Sequence, residues 1–153
     1  MTPAVRQLTE HKVQFTSHYY KYEEKGGTSV SSRELGVDEH AVIKTLIMET
    51  ETKEPLIVLM HGDCQVSTKQ LARELGVKAV SPCAPEVANR HSGYVVGGTS
   101  PFGTKKKMPV YVQKTILDLE RIYINGGGKG FLVNLASQEI VKILNAQVVE
   151  IRA

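Results

Sequence analysis

The chain has 153 residues, 41% of them hydrophobic and 23% charged, with a formal net charge of +3 at pH 7. That length suits a single domain spanning residues 1–153, and the mild charge sets it apart from a disordered chain and from a densely basic nucleic-acid module. Two cysteines without paired spacing, Cys64 and Cys83, argue against a disulfide scaffold and fit free thiols in a reducing compartment. No apolar run approaches the roughly 20 residues that span a bilayer. Met1 to Gln7 lacks the apolar stretch of a secretory leader. A cytoplasmic chain without membrane association is therefore expected.

Thr2-Pro3 followed by Val5, Leu8 and Val13 predicts a short helix, with Thr2 as its cap and Pro3 in its first position. From Gln14 to Tyr22 the period changes to two, predicting a half-buried strand that carries Tyr19, Tyr20 and Tyr22. Gly26-Gly27 breaks the chain. Ser29 to Leu35 predicts a helix, with Ser31 and Glu34 at capping-box spacing and Gly36 as its stop.

Val42 to Thr50 and Leu56 to Met60, joined by a turn at Glu51 to Glu54, predict an antiparallel hairpin. Ser67 caps a helix through Leu75 that Gly76 stops. Lys78 to Ser81 predicts a short strand, and Pro85 opens a helix to about Arg90. Pro109 to Gln113 and Ile122 to Asn125 predict strands, and Gly126-Gly127-Gly128 a tight turn or loop. Ser137 caps a helix through Leu144, and Gln147 to Ile151 predicts a last strand. Strands and helices do not alternate strictly, so the fold class is α+β with a mixed or mostly antiparallel sheet. Arg-Glu-Leu-Gly-Val occurs at Arg33 to Val37 and at Arg73 to Val77. Two copies are one helix-ending device used twice, since a solenoid would need more repeats.

Several chemistries find no motif. There is no G-x-S-x-G elbow and no H-E-x-x-H. Gly126 to Gly130 lacks P-loop spacing and its Ser/Thr after lysine. His61, Cys64, Cys83 and His91 do not show the paired spacing of a zinc site, so no metal is expected. Two features remain. Lys44 interrupts an apolar strand, where an ammonium must snorkel, pair or face a cleft; strand alternation alone also allows a solvated face. Gly97-Gly98-Thr99-Ser100-Pro101 offers backbone N–H groups able to hold a developing oxyanion, or makes a plain turn. The Lys105-Lys106-Lys107 run suits phosphates or simple solvation.

Together these segments resemble the YbaK/EbsC family of aminoacyl-tRNA deacylases, which also occurs as the editing domain of bacterial prolyl-tRNA synthetases. The resemblance rests on Met1 to Val5, His18-Tyr19-Tyr20, Ile43-Lys44-Thr45-Leu46, Ala88 to Gly103 and Ile122 to Gly127, in that order. It implies a mixed α+β fold with a strongly curved, barrel-like central sheet and flanking helices. It implies a trans-editing enzyme that releases a wrongly attached amino acid, typically Cys from tRNA(Pro), from the tRNA acceptor end, with prolyl-tRNA synthetase as a candidate partner. The implied catalytic set is Lys44, Gly97, Gly98 and Ser100. The implied substrate-binding set is His18, Tyr20, Thr45, Thr99, Pro101 and Gly127. In cysteine-specific members the substrate thiol attacks its own ester, so no cofactor, metal or protein nucleophile is implied. Leu132 stands where several relatives carry aspartate, with Asn134 two residues on, and Thr99 where many carry an aliphatic residue. These departures leave the amino acid open. They also keep a non-catalytic module that binds aminoacyl-tRNA or a nucleotide as the alternative, ahead of an enzyme acting on small nucleotide or amino-acid esters.

Overall fold

The computed structural model describes residues 1–153. Thr2 starts α1 (Pro3–Glu10) as its sequence requires: its hydroxyl accepts from the Val5 N–H at 3.1 Å. The same hydroxyl donates to the Gly126 carbonyl at 2.6 Å, tying the helix start to the later glycine run. Ala4 and Leu8, four residues apart on one helix face, are fully buried.

The remaining elements are β1 (Thr16–Tyr19), α2 (Gly27–Leu35), β2 (Val42–Thr50), β3 (Pro55–His61), α3 (Thr68–Leu75), β4 (Val80–Pro82), α4 (Pro85–Ser92), β5 (Val110–Gln113), β6 (Arg121–Gly128), β7 (Phe131–Ala136), α5 (Ser137–Leu144) and β8 (Gln147–Val149). The repeated pentapeptide ends both α2 and α3. Gly36 and Gly76 adopt φ of 67° and 70°. Val37 and Val77 then donate to Ser32 and Ala72 carbonyls at 3.0 Å, the doubled bonding that closes a helix through a left-handed glycine.

One mixed sheet runs in the order β1-β7-β6-β2-β3-β5-β8, with β4 added to β2. The hairpin β2–β3 is antiparallel, from Ile43 opposite His61 to Glu49 opposite Pro55. Parallel pairings of β2 with β6, β3 with β5 and β5 with β8 make the sheet mixed. Successive β3 side chains alternate between two cores. Ile57 and Leu59 join one with α1, α5 and β5–β7, while Leu56, Val58 and Met60 join the other with α3. A strand covered on both sides reads as an unbroken apolar run, as Leu56 to Met60 does.

Several elements differ from the expectation. The first strand stops at Tyr19; Tyr20 still bonds the Gly130 carbonyl, at 3.0 Å, but the chain then turns away. Helix α2 begins two residues before Ser29, and Ser31 lies inside it, its hydroxyl donating to the Thr28 carbonyl instead of capping. Ser137 is the first residue of α5, not its cap, and its hydroxyl bonds the Leu119 carbonyl. The triple glycine is the end of β6, and the turn falls at Lys129-Gly130, with Gly130 at φ 73°. Strand β7, unforeseen, is a central strand between β1 and β6. Its aromatic start explains one glycine: a Cβ on Gly126 would lie 2.4 Å from the Phe131 ring.

Candidate functional site

A cleft of about 600 Å³ opens between β2, the start of α2 and the loop after α4. Strand β2 supplies Lys44 and Thr45, the segment after β1 supplies Tyr20 and Tyr22, and the loop supplies Gly97 and Thr99. Lys44 is half-buried and joins none of the six ion pairs of the protein. Burial pushes its pKa down, opposed by the negative character of Cys64, Glu39 and Asp63 nearby. An uncompensated cation at the wall of a partly apolar cleft suits an anionic or strongly dipolar ligand.

Beside it, Thr45 Oγ1 is the one buried side-chain polar atom without a hydrogen-bond partner. Such an orphan costs about 1–3 kcal/mol, which a ligand's polar group would relieve. Burial raises the Tyr20 pKa, with the neighbouring Tyr22 adding to the rise, so its hydroxyl stays protonated as a donor.

The glycine loop is held from beneath. Gly98 N–H donates to the Val95 carbonyl at 2.8 Å, and Val96 N–H donates to Asn89 Oδ1 at 3.1 Å. Gly97 and Thr99 N–H groups have no acceptor within the protein. Gly97 sits at φ 96° with Tyr22 pressed against it: a Cβ there would lie 2.3 Å from the phenol oxygen. Asn125 joins the loop to the sheet. Its Nδ2 donates to the Gly97 carbonyl at 3.4 Å and to the Gly128 carbonyl at 3.1 Å. Its Oδ1 accepts from Gly127 and Gly128 at 2.6 and 3.0 Å.

The expected site residues thus fall into two groups. Lys44, Thr45, Tyr20, Gly97 and Thr99 share the cleft wall. Gly98, Ser100 and Pro101 are buried under the loop; Ser100 Oγ accepts from Phe102 N–H at 3.2 Å and faces no ligand space. His18 lies outside the lining, on β1, its Nε2 bonded to Thr16 Oγ1 at 2.7 Å and its ring edge-on to Tyr123. Gly127 is also outside, packed against Tyr94 and Thr2. Tyr22 and the buried Leu132, weighed from the sequence but not placed in the site set, also line the cleft, as do Cys83 and Asn125, which the sequence did not assign to it. Asn125, placed directly before three glycines whose N–H groups need an acceptor, was the legible one of these.

The residues weighed for zinc do not converge. Cys83 lines the cleft, and burial together with Glu49 pushes its thiol up to about 11. His40, Asp63 and Cys64 do gather, their donor atoms within 4.8 Å of one another. They satisfy each other, with His40 Nδ1 2.8 Å and Cys64 Sγ 3.5 Å from Asp63 Oδ1.

His61 is fully buried and stacks on His40, with ring centroids 3.6 Å apart. Its Nδ1 donates to the His40 carbonyl at 2.7 Å, which leaves Nε2 to accept from Thr115 at 2.7 Å. Burial lowers its pKa from the ordinary 6.5. The unfolded chain then takes up the proton first, so this contribution to stability is complete above about pH 6.5 and is lost as the pH falls. Urea midpoints are expected to drop from about pH 6.5 to about pH 5, less steeply in His61→Gln; a midpoint that rises on acidification would contradict the assignment.

The fold and cleft define a small mixed α+β protein in which a lysine and a glycine loop line one cleft. Residues 24–143 match the aminoacyl-tRNA editing domain, and the chain belongs to that family. It is 28% identical to an Enterococcus faecalis protein, EbsC, whose name proposes a Cys-tRNA(Pro)/Cys-tRNA(Cys) deacylase, over 98% of this chain and 92% of that one. It is 36% identical to the proline–tRNA ligase of Thermodesulfovibrio yellowstonii, over 72% of this chain and 18% of the ligase. Its fold matches the crystal structure of hypothetical protein APE2540 with a TM-score of 0.90 at 20% identity, covering 99% of each chain. It also matches that of a candidate trans-editing enzyme for prolyl-tRNA synthetase, with a TM-score of 0.84 at 18% identity, covering 100% of this chain and 99% of the other. No helix is long and apolar enough to cross a membrane.

Proposed function

We propose that this chain is a trans-editing deacylase that releases a wrongly attached amino acid, with cysteine on tRNA(Pro) the first candidate, from the tRNA acceptor end. The observation that carries the reading is the unpaired Lys44 facing, within one cleft, a loop whose Gly97 and Thr99 N–H groups have no protein acceptor. A cleft of about 600 Å³ lies in the size range of small-molecule sites and is large enough for a terminal nucleoside with its amino acid. Family membership and the likeness to EbsC support the same reading.

Deacylation needs the ester carbonyl oxygen to take up negative charge. The free loop N–H groups supply fixed donors for it, and Lys44 holds the phosphate or sugar of the terminal nucleotide in place. With a cysteinyl ester, the substrate sulfur forms the new bond to the carbonyl carbon as the bond to the ribose oxygen breaks. The thiol proton ends on that leaving oxygen, so the products are a cyclic thioester and free tRNA. The protein then needs to position and stabilise, without a nucleophile of its own.

The test is a panel of mischarged tRNAs, with Cys-tRNA(Pro) foremost, incubated with catalytic amounts of protein. Repeated turnover on at least one is expected. Stoichiometric retention of aminoacyl-tRNA without release would replace this reading with the binding module, which the buried apolar Leu132 on the cleft wall also allows.

A further inference from the structure

Arg90, Lys105, Lys106 and Lys107 are all exposed, and none joins any of the protein's ion pairs. The fold brings them together. The lysine run returns along the end of α4, with Lys105 N–H donating to the Ser92 carbonyl and Lys106 N–H to the His91 carbonyl, both at 2.9 Å. A Cβ on Gly93 would lie 3.1 Å from Lys105 Cβ, so the run is packed against the helix end. His91, between them, has its pKa lowered by burial and then by Lys106 and Arg90, which places both cations close by.

This patch adjoins the cleft. Helix α4 contributes Ala88 to the lining, and Cys83, just before the helix, lines it too and senses the Arg90 charge. Asn89 on α4 holds Val96, which lines the cleft, and Val95 and Val96 are 60% and 49% exposed. After β1 the rim carboxylates are paired, Glu23 with Arg33 and Glu24 with Lys129, both at 3.0 Å, and Lys25 beside them is exposed and joins no ion pair. The densest uncompensated positive charge near the mouth is therefore the group of four on the α4 side, against Lys25 alone among the exposed lining residues after β1.

Resting on the deacylase reading above, we propose that the phosphate backbone of the tRNA acceptor strand lies across Arg90 and Lys105–Lys107, delivering its last nucleotide over Val95–Val96 into the cleft. Phosphates neutralised by lysine release counterions, so this contact shows as a salt-dependent gain in affinity that carries no base specificity. It acts on the body of the tRNA and leaves the chemistry at Lys44 untouched.

The experiment compares wild type, the triple variant Lys105→Ala/Lys106→Ala/Lys107→Ala, and a charge-matched control. The control is Lys69→Ala/Lys78→Ala/Lys142→Ala, three exposed lysines outside the cleft lining. Each is assayed on Cys-tRNA(Pro) and on the cysteinyl ester of the trinucleotide CCA. Binding of uncharged tRNA(Pro) is followed by fluorescence anisotropy between about 50 and 200 mM salt. The patch variant should lose on the order of tenfold in kcat/KM on the full tRNA at about 150 mM salt and nothing on the trinucleotide. Its log–log salt slope for tRNA binding should fall by about 2 to 3, with the control unchanged. An unchanged slope, an equal loss on both substrates, or an equal loss in the control overturns the proposal. Absence of turnover in every chain would count against the deacylase reading, while the binding slopes would still decide the docking surface.

Discussion

Lys44→Ala is expected to remove deacylase activity, with a fall in kcat on the order of 10²- to 10³-fold, the range seen when one fixed electrostatic contact to a transition state is deleted. The same change is expected to leave the fold intact. Lys44 joins no ion pair, and its burial already disfavours the charge, so removing the ammonium releases a desolvation cost and strands no partner. Lys44→Met, which keeps the aliphatic stem, should be as stable as wild type or more so, and as inactive as the alanine variant. A residue that held the sheet together would show the reverse: lower stability with activity falling in proportion. Urea unfolding alongside single-turnover kinetics separates the two.

Gly98→Ala is the second large effect. Gly98 carries no ligand-facing group, yet the loop depends on its lack of a side chain. An added Cβ would lie 2.9 Å from Gly128 C and Lys129 N, which are backbone atoms of the β6–β7 turn. Neither can swing aside as a side-chain tip would, so the loop must lift. Lifting it moves the free N–H groups of Gly97 and Thr99 away from the carbonyl they would hold and weakens the Asn125 bond to Gly97. A displacement near 1 Å costs on the order of 10²-fold in rate. The variant is expected to show kcat reduced by about that factor, with far-UV circular dichroism unchanged. Full activity in a folded Gly98→Ala protein would remove the loop from the mechanism.

The hairpin and the helix ends were legible because their causes are local. Glycine at the end of each Arg-Glu-Leu repeat enters the left-handed region without the steric cost other residues meet there, and Ser67 and Thr2 meet their own N–H partners three residues on. Strand β7 was hidden because a central strand is apolar on both faces and shows no alternation. It also follows a glycine run that looks like an end to regular structure. Within the site, Lys44 and the glycine loop stood out by residue type, a charge in an apolar strand and paired glycines beside Pro101. Asn125 was legible only in its local role, accepting from the Gly127 and Gly128 N–H groups; its bond to Gly97 exists only where β6 meets a loop 28 residues earlier in the chain. Ser100 misled in the opposite way: a hydroxyl beside two glycines suggests chemistry, but Ser100 closes a buried turn on Phe102. Tyr94 supports that same turn, its hydroxyl donating to the Phe102 carbonyl at 2.6 Å.

The central claim is that the cleft between Lys44 and the Gly97 loop performs the deacylation. The most direct measurement is release of labelled cysteine from Cys-tRNA(Pro) under multiple-turnover conditions, with wild type and Lys44→Ala side by side at equal, verified folded concentration. Repeated turnover by wild type and release no faster than the uncatalysed rate with Lys44→Ala is the predicted result. Equal turnover by both proteins, or none by wild type on this or any other mischarged tRNA, would contradict it.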